Sequence, residues 1–334
     1  MKSITRMKII PEILKTKVKK NPPQKVIDEE DLKFKTIRQM IVRAKMEEKP
    51  LLVVEGSDDV AVYELFAKHA GKKVDVRAIE TIAGYGEGCF HVRKFINNAQ
   101  SIIREAPDNE KFIRGIVDRD ATFFRGEDYS YLKCLFTLKA YSFESHFTTE
   151  EHVKHLLHNI LQSRAGVDNR VINYVMGGIA TAYQELFLIS LEALKGACTS
   201  TYDSTVSYSW TYGQIKHGKT EVMASLESKT SELRTFAQSR NITVNEVKYV
   251  AKGKWLFHTF IDSVYGRIKT LSKKCSEGNG TVVRKCPYCS IEKHEKCSWK
   301  VKKKMSVDLA ELIILQYIDE SETKYIVDEI KKLG

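Results

Sequence analysis

The first periodic stretch of the chain covers residues 32–46. Apolar side chains fall at Leu32, Ile37, Met40, Ile41 and Ala44, the spacing of one helix face, with Asp31 in the N-cap position and Pro50 beyond the end. The pattern then changes. Leu51-Leu52-Val53-Val54 is a short apolar run without alternation, which is how a strand buried on both faces reads. A helical pattern over 60–69 follows, then a strand pattern over 74–79. Glycines at 84, 86 and 88 break the chain before a helical stretch at 92–105, and two further strand patterns lie at 112–117 and 135–138. Strand and helix alternating at this spacing require crossover connections. The expected fold is α/β, a mostly parallel sheet with helices on both faces. Ligands of such sheets bind outside the carboxyl ends of the strands.

After residue 146 the pattern is helical. Residues 169–198 read as a long apolar helix interrupted at Gly177-Gly178, 199–213 as a loop or short hairpin rich in Ser, Thr and Tyr, and 222–239 as another helix. The last thirty residues read as two helices. The expected division is an arm at 1–31 that is basic and then acidic, an α/β domain at 32–150, a helical extension at 151–265, a basic Cys/His insertion at 266–304, and C-terminal helices at 305–334. No internal repeat is visible.

Composition narrows the class. The 334 residues are 43% hydrophobic, 29% charged and 10% aromatic, which excludes a disordered or collagen-like chain. A net charge of +11 predicts attraction to polyanions such as nucleic acid. Seven cysteines make no disulfide scaffold. The lysine-studded N-terminus lacks the apolar core of a secretory signal, and no run of about 18 apolar residues exists, so a cytoplasmic protein without a membrane span is expected.

The residues that follow the strands carry the chemistry. The first strand ends in Glu55-Gly56-Ser57-Asp58-Asp59 and the third in Asp118-Arg119-Asp120. Carboxylates leaving neighbouring strand ends repel one another and raise one another's pKa, a cost that a bound Mg²⁺ removes. On a basic protein, the phosphate such a cation contacts is expected to belong to a nucleic acid.

At these residues the chain resembles the TOPRIM domain, whose pattern is a hydrophobic strand ending in Glu-Gly and a later one ending in Asp-x-Asp. Here they are LLVVEGSDD at 51–59 and GIVDRDA at 115–121. YSFESHF at 141–147 resembles an aromatic-x-x-Glu-Asn/Ser-aromatic element of the DUF4435 branch, which is similar to the OLD-family nucleases and includes effectors of PARIS anti-phage systems. The resemblance covers about residues 50–150. It implies a nuclease dependent on Mg²⁺ or Mn²⁺, with water as nucleophile. Glu55 is implied as metal ligand or general acid/base, Asp118 and Asp120 as the metal-binding pair, Asp59 as a second acidic ligand, and Glu144 as an extra catalytic glutamate. It also implies RNA, in particular tRNA, as substrate, an ABC/AAA-type ATPase sensor as partner, and a homodimer when active. An OLD-like DNA nuclease or nickase, and a non-catalytic nucleic-acid or partner-binding module, remain as alternatives.

Weaker signals surround this core. Arg93 and Lys94, on the helix after the glycine-rich turn, and Lys254, in a basic turn, are candidates for contacting a nucleic-acid backbone. Cys286, Cys289, His294 and Cys297 form C-x2-C-x4-H-x2-C, a spacing that suits structural Zn²⁺, with Cys275 as the alternative to His294. Residues 266–304 hold twelve Lys/Arg against three Glu, and Lys285 and Trp299 there are candidates for gripping RNA or DNA. His152, His155 and His158 read as ordinary helix-surface histidines.

Overall fold

The computed structural model describes residues 36–162, 167–278, 280–303 and 305–334. The arm at 1–31, with Asp31 as an N-cap, lies outside the described residues. The first helix is α1 (Ile37–Met46), and its cap is Thr36. The Thr36 hydroxyl accepts from the Gln39 N–H at 3.2 Å and the Gln39 side chain accepts from the Thr36 N–H at 3.1 Å, a reciprocal capping box.

Four parallel strands follow: β1 (Leu51–Val54), β2 (Asp75–Ala78), β3 (Ile113–Val117) and β4 (Leu135–Thr137), in the order β2-β1-β3-β4. Two helices join the first three, α2 (Ser57–His69) and α3 (Cys89–Glu105). Leu52, Val54 and Ile116 pack on one face with Val62 and Phe66 of α2. Leu51, Val53, Ile113 and Val117 pack on the other with Val92, Phe95 and Ile96 of α3. Both faces of β1 are therefore dry, which is why its sequence does not alternate. Gly115 lets α3 lie directly on β3, since a Cβ there would stand 2.7 Å from the Ile96 side chain and 2.9 Å from Val92. β1 pairs with β2 on one side and β3 on the other, so the winding direction reverses between β1 and β3. Their carboxyl ends are the switch point of the sheet.

The rest of the chain is helical: α4 (Glu150–Ile160), α5 (Asn169–Met176), α6 (Ile179–Cys198), α7 (Lys219–Glu227), α8 (Thr230–Gln238), α9 (Gly253–Ser276), α10 (Val307–Leu315) and α11 (Glu320–Lys331), with short helical turns between. The apolar pattern at 169–198 breaks at Gly177-Gly178, as its glycines suggest. The single helix expected at 222–239 is instead two. Lys229 interrupts it, turning its ammonium back to the buried carboxylate of Glu192 at 2.8 Å and to the Thr205 hydroxyl at 3.1 Å. One continuous apolar cluster joins the α2 face of the sheet to α4, α5, α9, the cysteine-bearing segment, α10 and α11.

His152 is not a surface residue. It belongs to the inner face of α4 with Val153, Leu156, Leu157 and Ile160, and is fully buried. Its ring nitrogens lie 2.7 Å from the Thr149 hydroxyl and 3.2 Å from the Tyr317 carbonyl. Burial pushes its pKa down from 6.5 to about 4. The unfolded chain therefore takes up this proton first, and the stability gained from a neutral His152 is complete above pH 6.5 and lost as pH falls toward 4. The loss is on the order of 3 kcal/mol. The melting temperature of a His152→Gln variant, measured against the wild type at each pH, is expected to shift in the variant's favour as pH falls from 6.5 toward 4; a difference that stays constant would contradict this assignment. His155 stacks on Tyr317 with centroids 4.7 Å apart, and only His158 of the three is exposed.

Candidate active site and metal centre

Glu55 leaves the carboxyl end of β1 and Asp118 that of β3. The Asp118 N–H donates to the Glu55 carboxylate at 2.7 Å, so the two strand ends are tied across the switch point. Asp59 sits in the first turn of α2 and accepts from the Gly56 N–H at 3.0 Å. Capping the helix and facing the site are thus one role, not competing ones. Asp120 takes a left-handed φ of 40°, and its N–H donates to the Tyr141 carbonyl at 3.1 Å. Its two oxygens accept from the Thr122 N–H at 2.5 Å and the Cys89 thiol at 3.4 Å. Glu144 is buried in the turn Phe143–Phe147 and accepts from the Ser142 hydroxyl. The first residue of α9 closes over this pair. A Cβ at Gly253 would lie 1.7 Å from the Ser142 hydroxyl and 2.5 Å from the Glu144 carboxylate, so glycine is what lets the helix begin there.

These five carboxylates share one electrostatic field. Burial pushes Glu55 from 4.5 up to about 7, against the stabilising Asp118 N–H, and the charges of Asp59 and Asp120 add to the rise. Asp59 is likewise pushed up to about 7, first by burial and then by Glu144. Asp118 is raised well above its ordinary value by burial and by Glu55, Glu144, Asp59 and Asp120. The donor set is all hard oxygen, which fits Mg²⁺ or Mn²⁺. Among the described residues no three of the carboxylates bring their ligand atoms within 4.8 Å of one another.

Of the expected nucleic-acid contacts, Lys254 reaches the site, 3.2 Å from Asp58 and half exposed. Lys94 and Lys285 are exposed. Arg93 is turned inward instead. It is buried, donates to the Thr122 hydroxyl at 3.1 Å, and lies over the Tyr129 ring at 4.2 Å, where its charge moderates Glu55. A helix residue facing the sheet cannot reach a phosphate backbone outside.

Two further participants carried no clear signal. Glu80 lies just past β2, and its carboxylate accepts from the Ser57 N–H at 2.9 Å while its other oxygen is buried without a hydrogen-bond partner. The strand order sets this third strand end against the turn that follows β1, which Glu80 braces. Tyr325 of α11 accepts from the Lys139 N–H at 3.0 Å and bonds His146 at 2.7 Å, bracing the turn that carries Glu144 from nearly two hundred residues away.

The cysteines form a second centre. Cys275, Cys286, Cys289 and Cys297 are all buried, with ligand atoms within 4.8 Å of one another, and this group could hold a zinc ion. The Cys286 and Cys297 sulfurs are 4.0 Å apart, close to the edge of a tetrahedron with metal–sulfur bonds of about 2.3 Å. His294 is exposed in the single turn His294–Lys296 and stands outside the group. Cys275 takes its place because α9 runs unbroken to Ser276 and brings that thiol against the Cys286 N–H at 3.2 Å. Burial opposes ionisation of Cys286, but N–H donors from Cys289 and Ser298 outweigh it and lower its pKa to about 6, while burial holds Cys289 up at about 11. Trp299 is also buried, its indole N–H donating to the Arg284 carbonyl at 3.3 Å. It packs the cysteine knob and offers no face to a base. The exposed apolar residues there are Tyr288 and Ile291.

No protein-family model and no curated protein matches the chain. Fold and site alone define its class: a parallel α/β sheet with carboxylates at the switch point, joined to helices and a four-cysteine cluster. Among the described residues no helix is long and apolar enough to cross a membrane.

Proposed function

We propose that this protein is a TOPRIM-type phosphodiester hydrolase of the DUF4435 branch, dependent on Mg²⁺ or Mn²⁺. In this reading it is the toxic, RNA-cleaving effector of an anti-phage system resembling PARIS, with tRNA as substrate. The observation that carries the reading is the bond between the Asp118 N–H and the Glu55 carboxylate, which draws the acidic ends of two strands to one point. Glu55, Asp118 and Asp120 would hold the cation, with Asp59 and Glu144 behind them. When bound, Mg²⁺ supplies charge for the scissile phosphate and acidifies an attacking water. Where Glu55 does not itself bind the cation, it would serve as the general acid/base instead. Lys254 offers a cation at the rim for the incoming polyanion. Zinc held by the four thiols has no open position and is structural. In this reading an ABC/AAA-type ATPase sensor would hold the nuclease in check.

The test is cleavage of tRNA and of supercoiled plasmid by the purified chain with Mg²⁺ or Mn²⁺. Selective tRNA cleavage is expected, lowered on the order of 10³-fold by Glu55→Gln with the fold intact. Equal rates for wild type and variant would overturn the mechanism, and selective plasmid nicking would replace RNA with DNA.

A further inference from the structure

Two large rings stand exposed beside the acidic site. Phe90 keeps 67% of its surface open and Phe123 keeps 55%. Neither belongs to an apolar cluster of the fold. Single exposed apolar residues are ordinary, but the placement of these two is not. Phe90 directly follows Cys89, whose thiol donates to one oxygen of Asp120, and Phe123 directly follows Thr122, whose N–H donates to the other. Each ring is thus one residue from a group that holds the same carboxylate. The Arg119 guanidinium lies 3.5 Å from the Phe123 centroid, placing a cation against that ring.

Charge attracts single strands and duplex alike, so it does not choose between them; stacking does. Bases inside a duplex cover one another's faces, whereas unpaired bases offer theirs to aromatic side chains. We infer that Phe90 and Phe123 form a stacking platform for the unpaired bases flanking the phosphodiester presented at Asp120, so that the protein selects single-stranded RNA over duplex. This inference rests on the hydrolase reading above. Arg119 adds its charge to the stack from the protein side.

The experiment measures binding of the full chain, without divalent cations, to a fluorescein-labelled single-stranded RNA and to the same sequence in a blunt duplex, by anisotropy. The Phe90→Ala/Phe123→Ala double variant is expected to weaken single-strand binding about 10- to 100-fold, as loss of one or two stacked bases implies, with little change for duplex. Tryptophan at both positions is expected to preserve single-strand affinity. Equal losses on both RNAs, or no loss, would overturn the platform. So would a change in oligomeric state by sedimentation with RNA affinity unchanged, since the rings would then be an interface between copies. The two readings fail separately. If wild type binds single strands through the rings but cleaves nothing, the hydrolase reading falls; if it cleaves and the rings do not matter, only the platform falls.

Discussion

Asp118→Asn is expected to stabilise the metal-free protein while abolishing its response to Mg²⁺. Glu55 and Asp59 titrate near 7 in the folded state against ordinary values of 4.5 and 3.8, and Asp118 is raised as well. A carboxylate with a raised folded pKa binds its proton more tightly in the folded chain. Its contribution to stability is therefore largest below the ordinary value and is lost as pH rises through about 7. Ionising Glu55 alone costs on the order of 3 kcal/mol. The melting temperature of the metal-free wild type is expected to fall between about pH 5 and pH 8, and Mg²⁺ to restore it increasingly across the same window. With one charge removed at position 118, the fall becomes shallower and the Mg²⁺ effect disappears, together with cleavage. A wild-type melting temperature that rises through this window and ignores Mg²⁺ would show that these carboxylates do not share a cation.

If the four cysteines hold zinc, Cys275→Ser is expected to release it and lower stability on the order of 5 kcal/mol, because metal binding to such sites is also folding energy. The effect is large because the four sulfurs are buried within the main apolar cluster, which includes Val283, Trp299 and Leu271. Without an ion, the thiols would form a polar knot inside that cluster. His294→Ala, at an exposed position outside the group, is expected to leave zinc content and melting temperature unchanged. Metal analysis of the two variants decides the matter. Zinc retained by Cys275→Ser and lost by His294→Ala would reverse the ligand assignment.

These two assignments show where sequence reasoning carries and where it stops. β1 was readable because it is a dense apolar run ended by acids, and burial on both faces leaves that mark; β3, broken by Arg114 and Gly115, shows it less sharply. Whether their carboxyl ends adjoin depends on strand order, which no local pattern encodes. The same ignorance hid Glu80, which braces the turn after β1 only because β2 lies beside β1. His294 sits at a persuasive spacing from Cys289 and Cys297, but spacing says nothing of which way a single turn faces. Cys275 displaces it through a long helix whose direction is set by packing elsewhere. Arg93 and Trp299 failed as nucleic-acid contacts for a related reason: an Arg or Trp in a basic region looks available until the side chains that enclose it are known. Phe90 and Phe123 are the converse, large apolar residues that the fold leaves exposed.

The 24 residues of α9 touch Glu144 at one end and deliver Cys275 at the other. An α-helix advances about 1.5 Å and turns about 100° with every residue. Inserting or deleting one residue within it would swing either the thiol out of its ring of sulfurs or the bare first turn off the glutamate. The helix therefore acts as a gauge bar of set length and phase: outward-facing positions along it are free to vary in identity, while their number is not.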